Sequence, residues 1–95
     1  MTYKLTFKKR AKNEWNKLDP FIRSLLKKKL EERLKKPHIK SAELSTMENC
    51  YKIKLRNSGY RLVYQVRDLE VIVSVVAIGK RDKNIIYRIA ADRLH

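Results

Sequence analysis

Hydrophobic and polar residues alternate along the first segment of the chain. Tyr3, Leu5 and Phe7 are separated by single polar residues, a period of two that is typical of a strand with one buried face. The same alternation returns in a second segment, and two later segments are rich in β-branched and aromatic residues, which favour the pleated surface of a sheet. The pattern therefore predicts four strands, over residues 2–7, 51–56, 60–67 and 71–78.

Two segments between the first and second strands show helical periodicity instead. Hydrophobic residues recur at helical spacing from Ala11 to Leu18, and Asp19-Pro20 then ends one helix and begins the next, because Asp is a good N-cap and Pro suits the first turn. This second helix ends at Pro37, and a short closing helix is predicted over residues 85–94. The hydrophobic stripe of the second helix, which has a period of 3.6, consists of Ile22, Leu25, Leu26, Leu30 and Leu34.

The segments between these elements set the order of the fold. Residues 57–59, Asn-Ser-Gly, provide a hairpin turn, and residues 67–70 provide a second turn. Residues 37–49 have no hydrophobic period and are predicted to form a connecting loop, and residues 79–83 interrupt the last strand. The order βααβββα predicts one α+β domain over residues 1–95, with a mostly antiparallel twisted sheet and helices packed on one face.

The net charge narrows the choice of partners. The chain has 24 Lys and Arg against 10 Asp and Glu, which gives a formal net charge of +14. Such an excess repels itself in the compact state unless a nucleic acid or an acidic protein neutralises it. The longest hydrophobic run, residues 71–78, is interrupted by Ser74 and is far too short to span a bilayer. We therefore expect a polyanionic partner and no membrane association.

The rest of the composition excludes further classes of protein. The first residues lack the continuous hydrophobic stretch of a signal peptide, so we expect a cytoplasmic protein. Cys50 is the single cysteine, which excludes an intramolecular disulfide and argues against a structural zinc site. His38 lies in the connecting loop and His95 is the last residue, so both are expected to be solvated. No metal or cofactor is predicted.

One face of the predicted hairpin is strongly cationic. Lys52, Lys54 and Arg56 alternate with hydrophobic residues and therefore share the opposite strand face, with Arg61 on the neighbouring strand and Tyr87 of the closing helix within reach. Cations beside an aromatic ring are typical of single-stranded RNA recognition, whereas a solvated face that blunts edge pairing is the alternative. The residues expected to bind RNA or ribosomal RNA are Lys27, Lys28, Arg56, Lys80 and Lys83.

For Lys27 and Lys28, a solvated helix face is an equally good interpretation.

The cationic strand face also carries groups suited to RNA transesterification, which needs a base for the 2′-OH proton, positive charge for the phosphorane and assistance to the leaving 5′ oxygen. A lysine crowded by other cations has a lowered pKa, so Lys52 or Lys54 could take the proton. Arg61 and Arg81 offer planar forks for the phosphate, and Arg81 could donate a hydrogen bond to the leaving group.

Three stretches of the sequence carry a likeness to a known family. Residues 50–66 read CYKIKLRNSGYRLVYQV, residues 78–82 read IGKRD, and Tyr87 follows. Further matches fall at residues 11–15 and 27–30 and at Pro37. Together these segments resemble the RelE toxins, which are ribosome-dependent mRNA endonucleases, over essentially the whole chain.

The resemblance implies a specific reaction and a specific site. It implies cleavage of mRNA in the ribosomal A site by attack of the 2′-OH, which leaves a 2′,3′-cyclic phosphate and a 5′-OH, without a cofactor. By the same resemblance, Lys52 and Lys54 would supply the base and electrostatic stabilisation, and Arg61 would stabilise the transition state. Arg81 would assist the leaving group, and Tyr87 would orient and stack on the mRNA base.

The resemblance also implies partners and shows one departure. It implies a RelB-like antitoxin that covers the basic face and displaces the closing helix, together with the 70S ribosome and its mRNA; contact with DNA would come only through the antitoxin. Residues 45–47 are Ser-Thr-Met, where many relatives carry a basic residue and a glycine before the Met. We expect a weaker phosphate or ribosomal RNA contact there, and a loop less able to adopt positive φ.

Two other functions stay open at the level of sequence. The ParE branch of the same superfamily shares the fold but poisons DNA gyrase, and the combination of Lys52, Lys54, Arg61, Arg81 and Tyr87 argues against it. A non-catalytic module would hold RNA or the ribosome through the same cations and cleave nothing. The absence of a cyclic phosphate product would distinguish such a module from a nuclease.

Overall fold

The computed structural model describes residues 2–80 and 85–94 of the chain. Its elements follow the predicted order βααβββα, and the α+β class is confirmed. Two short 3₁₀ turns, Lys40–Ala42 and Asp68–Glu70, lie in the connections. The strands are β1 Lys4–Phe7, β2 Cys50–Lys54, β3 Tyr60–Arg67 and β4 Ile72–Lys80, and the helices are α1 Lys9–Asn16, α2 Pro20–Lys35 and α3 Ile85–Leu94.

The four strands form one mixed sheet in the order β1-β4-β3-β2. β2, β3 and β4 make the predicted antiparallel meander, while β1 pairs with β4 in parallel. β4 is therefore a central strand, and residues 73–78 are buried, as the nearly continuous β-branched run predicts. β4 continues through Gly79 to Lys80, so the predicted break at Gly79 is wrong by two residues.

The two faces of the sheet are covered by different helices. Buried residues of α1 and α2 pack in one cluster with Ile53, Leu62 and Tyr64, whereas α3 packs in a second cluster with Cys50 and Val63. Because neighbouring strand residues point to opposite faces, α3 lies on the face opposite α1 and α2. The predicted packing of all helices on one face is therefore wrong for α3. On this second face, β3 and β4 carry hydrophobic side chains, and α3 shields them from water.

The ends of the second helix are set by local chemistry. The Asp19 side chain accepts a hydrogen bond from the backbone N–H of Phe21 at 3.1 Å, and Pro20 occupies the first turn, as the sequence predicts. Leu26 and Leu30 are fully buried, but Leu25 is 36% exposed, so the predicted stripe is one residue too wide. Within residues 2–80 and 85–94, no helix has the length and hydrophobicity needed to cross a membrane.

Candidate active site on the cationic face of the sheet

The lysines of β2 lie where the alternation predicts. Tyr51 and Ile53 are buried against the cluster under α1 and α2, which turns Lys52 and Lys54 toward the α3 side of the sheet. Lys52 is half-buried and Lys54 is exposed. The two residues predicted as candidate bases therefore share one face, with Lys54 nearer the hairpin turn.

Arg61 of β3 stands directly opposite Lys54 of β2 in the antiparallel register. Side chains at such paired positions have Cβ atoms roughly 5 Å apart. Hairpin pairing thus places a half-buried guanidinium beside an exposed ammonium group, at the end of the sheet where the predicted turn lies. This juxtaposition concentrates positive charge at one point of the surface, as a phosphorane would require.

Tyr87 of α3 completes this group from above the sheet. Nη1 of Arg61 donates a hydrogen bond to the Tyr87 hydroxyl at 3.1 Å, and the guanidinium carbon lies 5.6 Å from the ring centroid. The hydrogen bond and the ring together limit the orientations open to the Arg61 guanidinium. We call Lys52, Lys54, Arg61 and Tyr87 the cationic cluster.

A cleft opens beside the cationic cluster at the hairpin turn. Its volume is about 350 Å³, and none of its described lining residues is acidic. Charge of one sign in a concave surface focuses the field on an incoming anion. The cleft is lined by Lys54, Leu55, Arg56, Gly59, Tyr60 and Arg61.

Comparison with known proteins places this geometry in a family. The family model described as ParE toxin of type II toxin-antitoxin system, parDE, matches residues 5–85. The mRNA interferase toxin RelE of Escherichia coli strain K12 is 51% identical over 94 residues, with 99% of each chain covered. A putative RelE-like toxin protein of Escherichia coli is 48% identical over the same length and coverage. The chain belongs to the RelE/ParE family of toxins.

Solved structures of the RelE/ParE family have the same fold. A double arginine-to-alanine variant of E. coli toxin RelE in the free state is 49% identical, covers 100% of both chains and superposes with a TM-score of 0.92. The toxin chain in the intact E. coli RelBE toxin-antitoxin complex is 53% identical, with 85% of this chain and 99% of that chain covered and a TM-score of 0.82.

The position of Tyr87 in this RelE/ParE toxin depends on Gly79. Gly79 stands opposite Arg61 in the β3–β4 register, and a Cβ at Gly79 would lie 3.1 Å from Cδ1 of Ile86. The missing side chain lets α3 approach β4 closely, which brings Tyr87, the next residue, over Arg61. A glycine inside a strand pattern signals such an approach, so this role could have been predicted from the sequence.

The far end of α3 is fixed by a half-buried ion pair that the sequence did not reveal. Arg93 donates from Nη1 and Nη2 to the two carboxylate oxygens of Glu14 at 2.8 and 2.9 Å. The same pair satisfies the backbone of β4, because Arg93 donates to the carbonyl of Val76 at 2.9 Å and Glu14 accepts from the N–H of Ile78 at 3.1 Å. The hydrogen bonds to Glu14 raise the pKa of Arg93.

The strand register explains why these backbone groups need side-chain partners. Val63 pairs with Ala77 and Tyr64 pairs with Val75, so Val76 is the extra residue of a β-bulge. β1 ends at Phe7, opposite Val75. A bulge bends its strand and interrupts the ladder of backbone hydrogen bonds. Past the end of β1, the Glu14–Arg93 pair forms hydrogen bonds with the backbone groups at the edge of β4.

Arg33 of α2 supports β2 from the opposite face. Arg33 lies outside the hydrophobic stripe of α2, yet it is half-buried and donates to the carbonyl of Lys52 at 3.1 Å and to the Tyr64 hydroxyl at 3.0 Å. Tyr64 donates in turn to the carbonyl of Pro37 at 2.8 Å. Burial raises the pKa of Tyr64, although Arg33 opposes that rise. This chain of bonds holds the backbone that carries Lys52.

The remaining predicted cations are not gathered into the cleft. Lys80 is exposed and lies over the ring of Tyr60, 5.5 Å from its centroid, which directs it away from Arg61. Lys27 and Lys28 are exposed on α2, consistent with either interpretation given for them. Arg81 and Lys83 lie outside the described residues. Within the described residues, no group of His, Cys, Asp or Glu could hold a metal ion.

His38 is exposed, as predicted, but it also contacts a carboxylate. Its Nε2 lies 3.1 Å from Oδ1 of Asp68, which also accepts a hydrogen bond from Tyr3 at 2.7 Å. The hydrogen bond from Tyr3 contributes most to lowering the pKa of Asp68, and it raises the pKa of Tyr3. This group lies at the Arg67 end of β3, away from the cleft at the Tyr60 end. His95 lies outside the described residues.

The start of β2 and the loop before it lie against the second hydrophobic cluster. Cys50 is fully buried there, and burial raises the pKa of its thiol to about 11. Ser45 and Thr46 are exposed, and the positive φ of this segment falls at Asn49, with φ of 61°. Asn tolerates that conformation, and neither Ser45 nor Thr46 has a positive φ; the weaker phosphate contact at these two residues stays a prediction.

Proposed function

We propose that this chain is the toxin of a type II toxin–antitoxin system, and that it cleaves mRNA in the A site of the 70S ribosome and thereby inhibits translation. Lys54 and Arg61, paired across β2 and β3 with Tyr87 bound to Arg61, form the observation that carries this proposal. The identity of about half of all residues to proteins named mRNA interferase RelE supports it. We further propose that residues 1–95 act as one cytoplasmic domain.

The reaction is a transesterification within the mRNA. Lys52 or Lys54 removes the proton of the 2′-OH, the 2′ oxygen forms a bond to the adjacent phosphorus, and the bond from phosphorus to the 5′ oxygen breaks. The products are a 2′,3′-cyclic phosphate and a 5′-OH. The protonated lysine gives this proton back, directly or through solvent, to the leaving 5′ oxygen, so the step needs no cofactor and no redox partner. The exposed Lys54 beside Arg61 is the better placed of the two lysines for an incoming hydroxyl.

The other residues of the site stabilise charge and orient the substrate. Arg61 donates to the phosphorane oxygens, and its bond to Tyr87 restricts the guanidinium before the substrate arrives, which lowers the reorganisation needed in the transition state. Tyr87 also stacks on the mRNA base. Arg81 donates a hydrogen bond to the leaving 5′ oxygen, since a guanidinium is too weak an acid to transfer its proton.

Cations outside the cluster hold the polyanion. Arg56 lines the cleft and contacts the phosphate next to the scissile one. The ribosome supplies what the cluster lacks, because it holds the mRNA in a geometry close to attack. The further contacts to RNA or ribosomal RNA are made by Lys27, Lys28, Lys80 and Lys83.

The protein partner in this proposal is a RelB-like antitoxin. Relatives of this chain have been solved as RelBE toxin-antitoxin complexes, and a formal net charge of +14 calls for an acidic ligand. The antitoxin covers the basic face and displaces α3, which would remove Tyr87 from Arg61. Any DNA contact of the complex belongs to the antitoxin.

A gyrase-poisoning activity is the second candidate, because the matching family model is described as ParE toxin. The curated relatives at about 50% identity carry the name mRNA interferase RelE or RelE-like toxin, which favours the nuclease. A non-catalytic RNA or ribosome-binding module is the third candidate and shares the same cations. The three candidates differ in their product, which decides the experiment.

The test is primer extension and 3′-end analysis of an mRNA on programmed ribosomes, with free RNA in parallel. The site variant is Lys54→Ala with Arg61→Ala, and the control is Lys4→Ala with Lys17→Ala, which removes the same charge from exposed positions elsewhere. We expect ribosome-dependent cuts with cyclic phosphate ends, retained in the control and reduced at least about 10³-fold in the site variant.

Other outcomes select the alternatives. Growth arrest with intact mRNA and with DNA gyrase trapped on DNA would replace the proposal by a ParE-like activity. Ribosome binding without any cut in the wild-type protein would replace it by the binding module. Equal loss of cleavage in both double variants would mean that total charge, and not the cationic cluster, carries the activity.

A further inference from the structure

An exposed aromatic ring stands near the active-site cleft. Among the described residues, four large hydrophobic side chains are exposed, and Phe21 and Leu25 of α2 are two of them, at 67% and 36%. They are four residues apart and so lie on the same side of the helix. Phe21 is held at the start of α2 by the Asp19 cap, so the ring is carried by a rigid element.

A groove runs between this part of α2 and the β2–β3 hairpin. Its volume is about 590 Å³, and it shares Lys54, Leu55 and Arg56 with the active-site cleft. The two depressions therefore adjoin each other at the end of β2, and the groove extends from there to Phe21. The groove is lined by Phe21, Ile22, Leu25, Lys29, Lys54, Leu55, Arg56, Asn57 and Ser58.

The chemistry of the groove fits one kind of ligand. Lys29, Lys54 and Arg56 are cations, and none of the described lining residues is acidic. The floor is hydrophobic and offers an aromatic face, and Asn57 and Ser58 add hydrogen-bonding groups. Positive charge along a groove with an aromatic platform is how proteins bind single-stranded nucleic acid.

We propose that this groove binds a nucleotide of single-stranded RNA that flanks the scissile phosphate, with its base stacked on Phe21. Lys29 and Arg56 contact the phosphates on either side of that nucleotide. The inference deepens the proposed nuclease function and rests on it for the meaning of the scissile phosphate. It adds a second aromatic platform, on the α2 side of the hairpin, to the one that Tyr87 provides on the α3 side.

A protein segment fits the groove less well. A helix docks through a row of anchors at i, i+3 or i+4, and i+7, and therefore needs a hydrophobic strip of about two turns. The exposed hydrophobic residues here, Phe21 and Leu25, span a single turn of α2. A base needs only one exposed ring, and its phosphates use the cations at the rim.

The test uses a fluorescent 2′-O-methyl RNA oligonucleotide, which lacks the attacking hydroxyl and so separates binding from cleavage. Anisotropy titrations compare the wild-type chain with Phe21→Ala, Phe21→Trp and, as a control, Leu69→Ala. Leu69 is fully exposed beyond the opposite end of β3, roughly 25 Å from the hairpin turn. Thermal melts verify that each variant is folded.

Stacking predicts a specific pattern of affinities. Phe21→Ala should weaken binding about tenfold, Phe21→Trp should restore it, and Leu69→Ala should leave it unchanged. Phe21→Ala should keep the salt dependence of the wild type, because no phosphate contact is lost. Lys29→Ala should instead lower the slope of log affinity against log salt by about 1.

Three results would overturn the proposal. Unchanged RNA affinity in Phe21→Ala would remove the platform, and loss of affinity that Phe21→Trp does not restore would assign Phe21 a role in shape alone. Loss of affinity for an acidic antitoxin without loss for RNA would make the groove a protein-docking site. Failure of the nuclease proposal is a separate observation, since it appears as no cleavage by the wild type on programmed ribosomes.

Discussion

The two faces of the sheet are built in different ways. The face under α1 and α2 is closed by a continuous hydrophobic cluster that includes the fully buried Leu26 and Leu30. The opposite face is covered by the ten-residue α3 together with Met47 and Leu44 of the loop before β2, with small residues such as Ala77 and Ala90 in the cluster. Lys54 and Arg61 lie on the same face of the sheet but are not part of this hydrophobic cluster.

This difference separates stability from chemistry. The free energy of unfolding depends mainly on buried hydrophobic area. Because the cluster on one face supplies most of that area, the fold remains stable although the second face is charged and only partly covered. The cations of the second face repel one another, and α3 is held there by its small hydrophobic cluster, the Glu14–Arg93 ion pair and the hydrogen bond between Arg61 and Tyr87. Mutations on the two faces should therefore affect different measurements.

The largest effect on stability is expected on the closed face. Leu30→Ala removes a fully buried side chain from the cluster and should lower the free energy of unfolding by about 2–5 kcal/mol. Urea unfolding followed by circular dichroism measures it. Leu25→Ala, on the same helix and 36% exposed, is the matched control and should cost less than about 1 kcal/mol. Equal losses would mean that the closed face is not the main source of stability.

A smaller and more local effect is expected from the ion pair that holds α3. Glu14→Gln keeps the shape but leaves the largely buried Arg93 without its carboxylate, at a cost of about 2 kcal/mol, between an exposed pair and a fully buried one. Hydrogen exchange should accelerate in α3 and not in β3. Asp92→Asn, an exposed carboxylate on α3, should change neither. Faster exchange throughout the sheet would show that the pair stabilises the whole fold.

A still smaller change is expected where α3 approaches β4. Gly79→Ala places a Cβ 3.1 Å from the flexible end of Ile86, so α3 shifts by a few tenths of an ångström and Tyr87 moves relative to Arg61. Stability should change by less than about 1 kcal/mol, while cleavage on ribosomes falls by less than about tenfold. Ile86→Val in the same chain removes the clashing Cδ1 and should restore the rate. A rate loss that Ile86→Val does not relieve would contradict this account.

The smallest effect depends on pH and lies at the far end of β3. Folding lowers the pKa of Asp68, chiefly through the hydrogen bond from Tyr3, so the unfolded chain binds that proton more tightly. The stabilisation is therefore complete above the usual carboxyl value of 3.8 and is lost as the pH falls below it. Asp68→Asn should therefore make the fall in melting temperature below about pH 4 less steep. Asp19→Asn is not a suitable control, because it also removes the N-cap of α2. A melting curve unchanged by Asp68→Asn below pH 4 would refute it.

Sequence reasoning predicted the elements and the cationic face but not the placement of α3. The period of two assigned Lys52, Lys54 and Arg61 to one face, since alternation is a property of local sequence. α3 packs on the side where Val63 and Ala77 form a second hydrophobic face. Because β4 is hydrophobic at nearly every position, its sequence does not show which of its two faces a given helix covers. Local patterns specify strands better than they specify which helix covers them.

Contacts between distant segments were the least predictable. Glu14 and Arg93 are 79 residues apart, and Arg33 meets Lys52 across 19, so no local spacing links either pair. His38 is exposed, as its loop position predicts, but its contact with Asp68, 30 residues away, was not predicted. A charged residue on a helix has the pattern of a solvent-facing position whether it is solvated or hydrogen-bonded to a distant backbone group.

The central claim is that chemistry and stability lie on opposite faces, and two variants test it most directly. Arg61→Ala and Leu30→Ala are each measured for single-turnover cleavage on programmed ribosomes and for unfolding in urea. We predict that Arg61→Ala cleaves about 10²-fold to 10³-fold more slowly with an unchanged urea midpoint, whereas Leu30→Ala has a lower midpoint and cleaves at the wild-type rate while folded. Cleavage that follows the urea midpoint in both variants would contradict the claim.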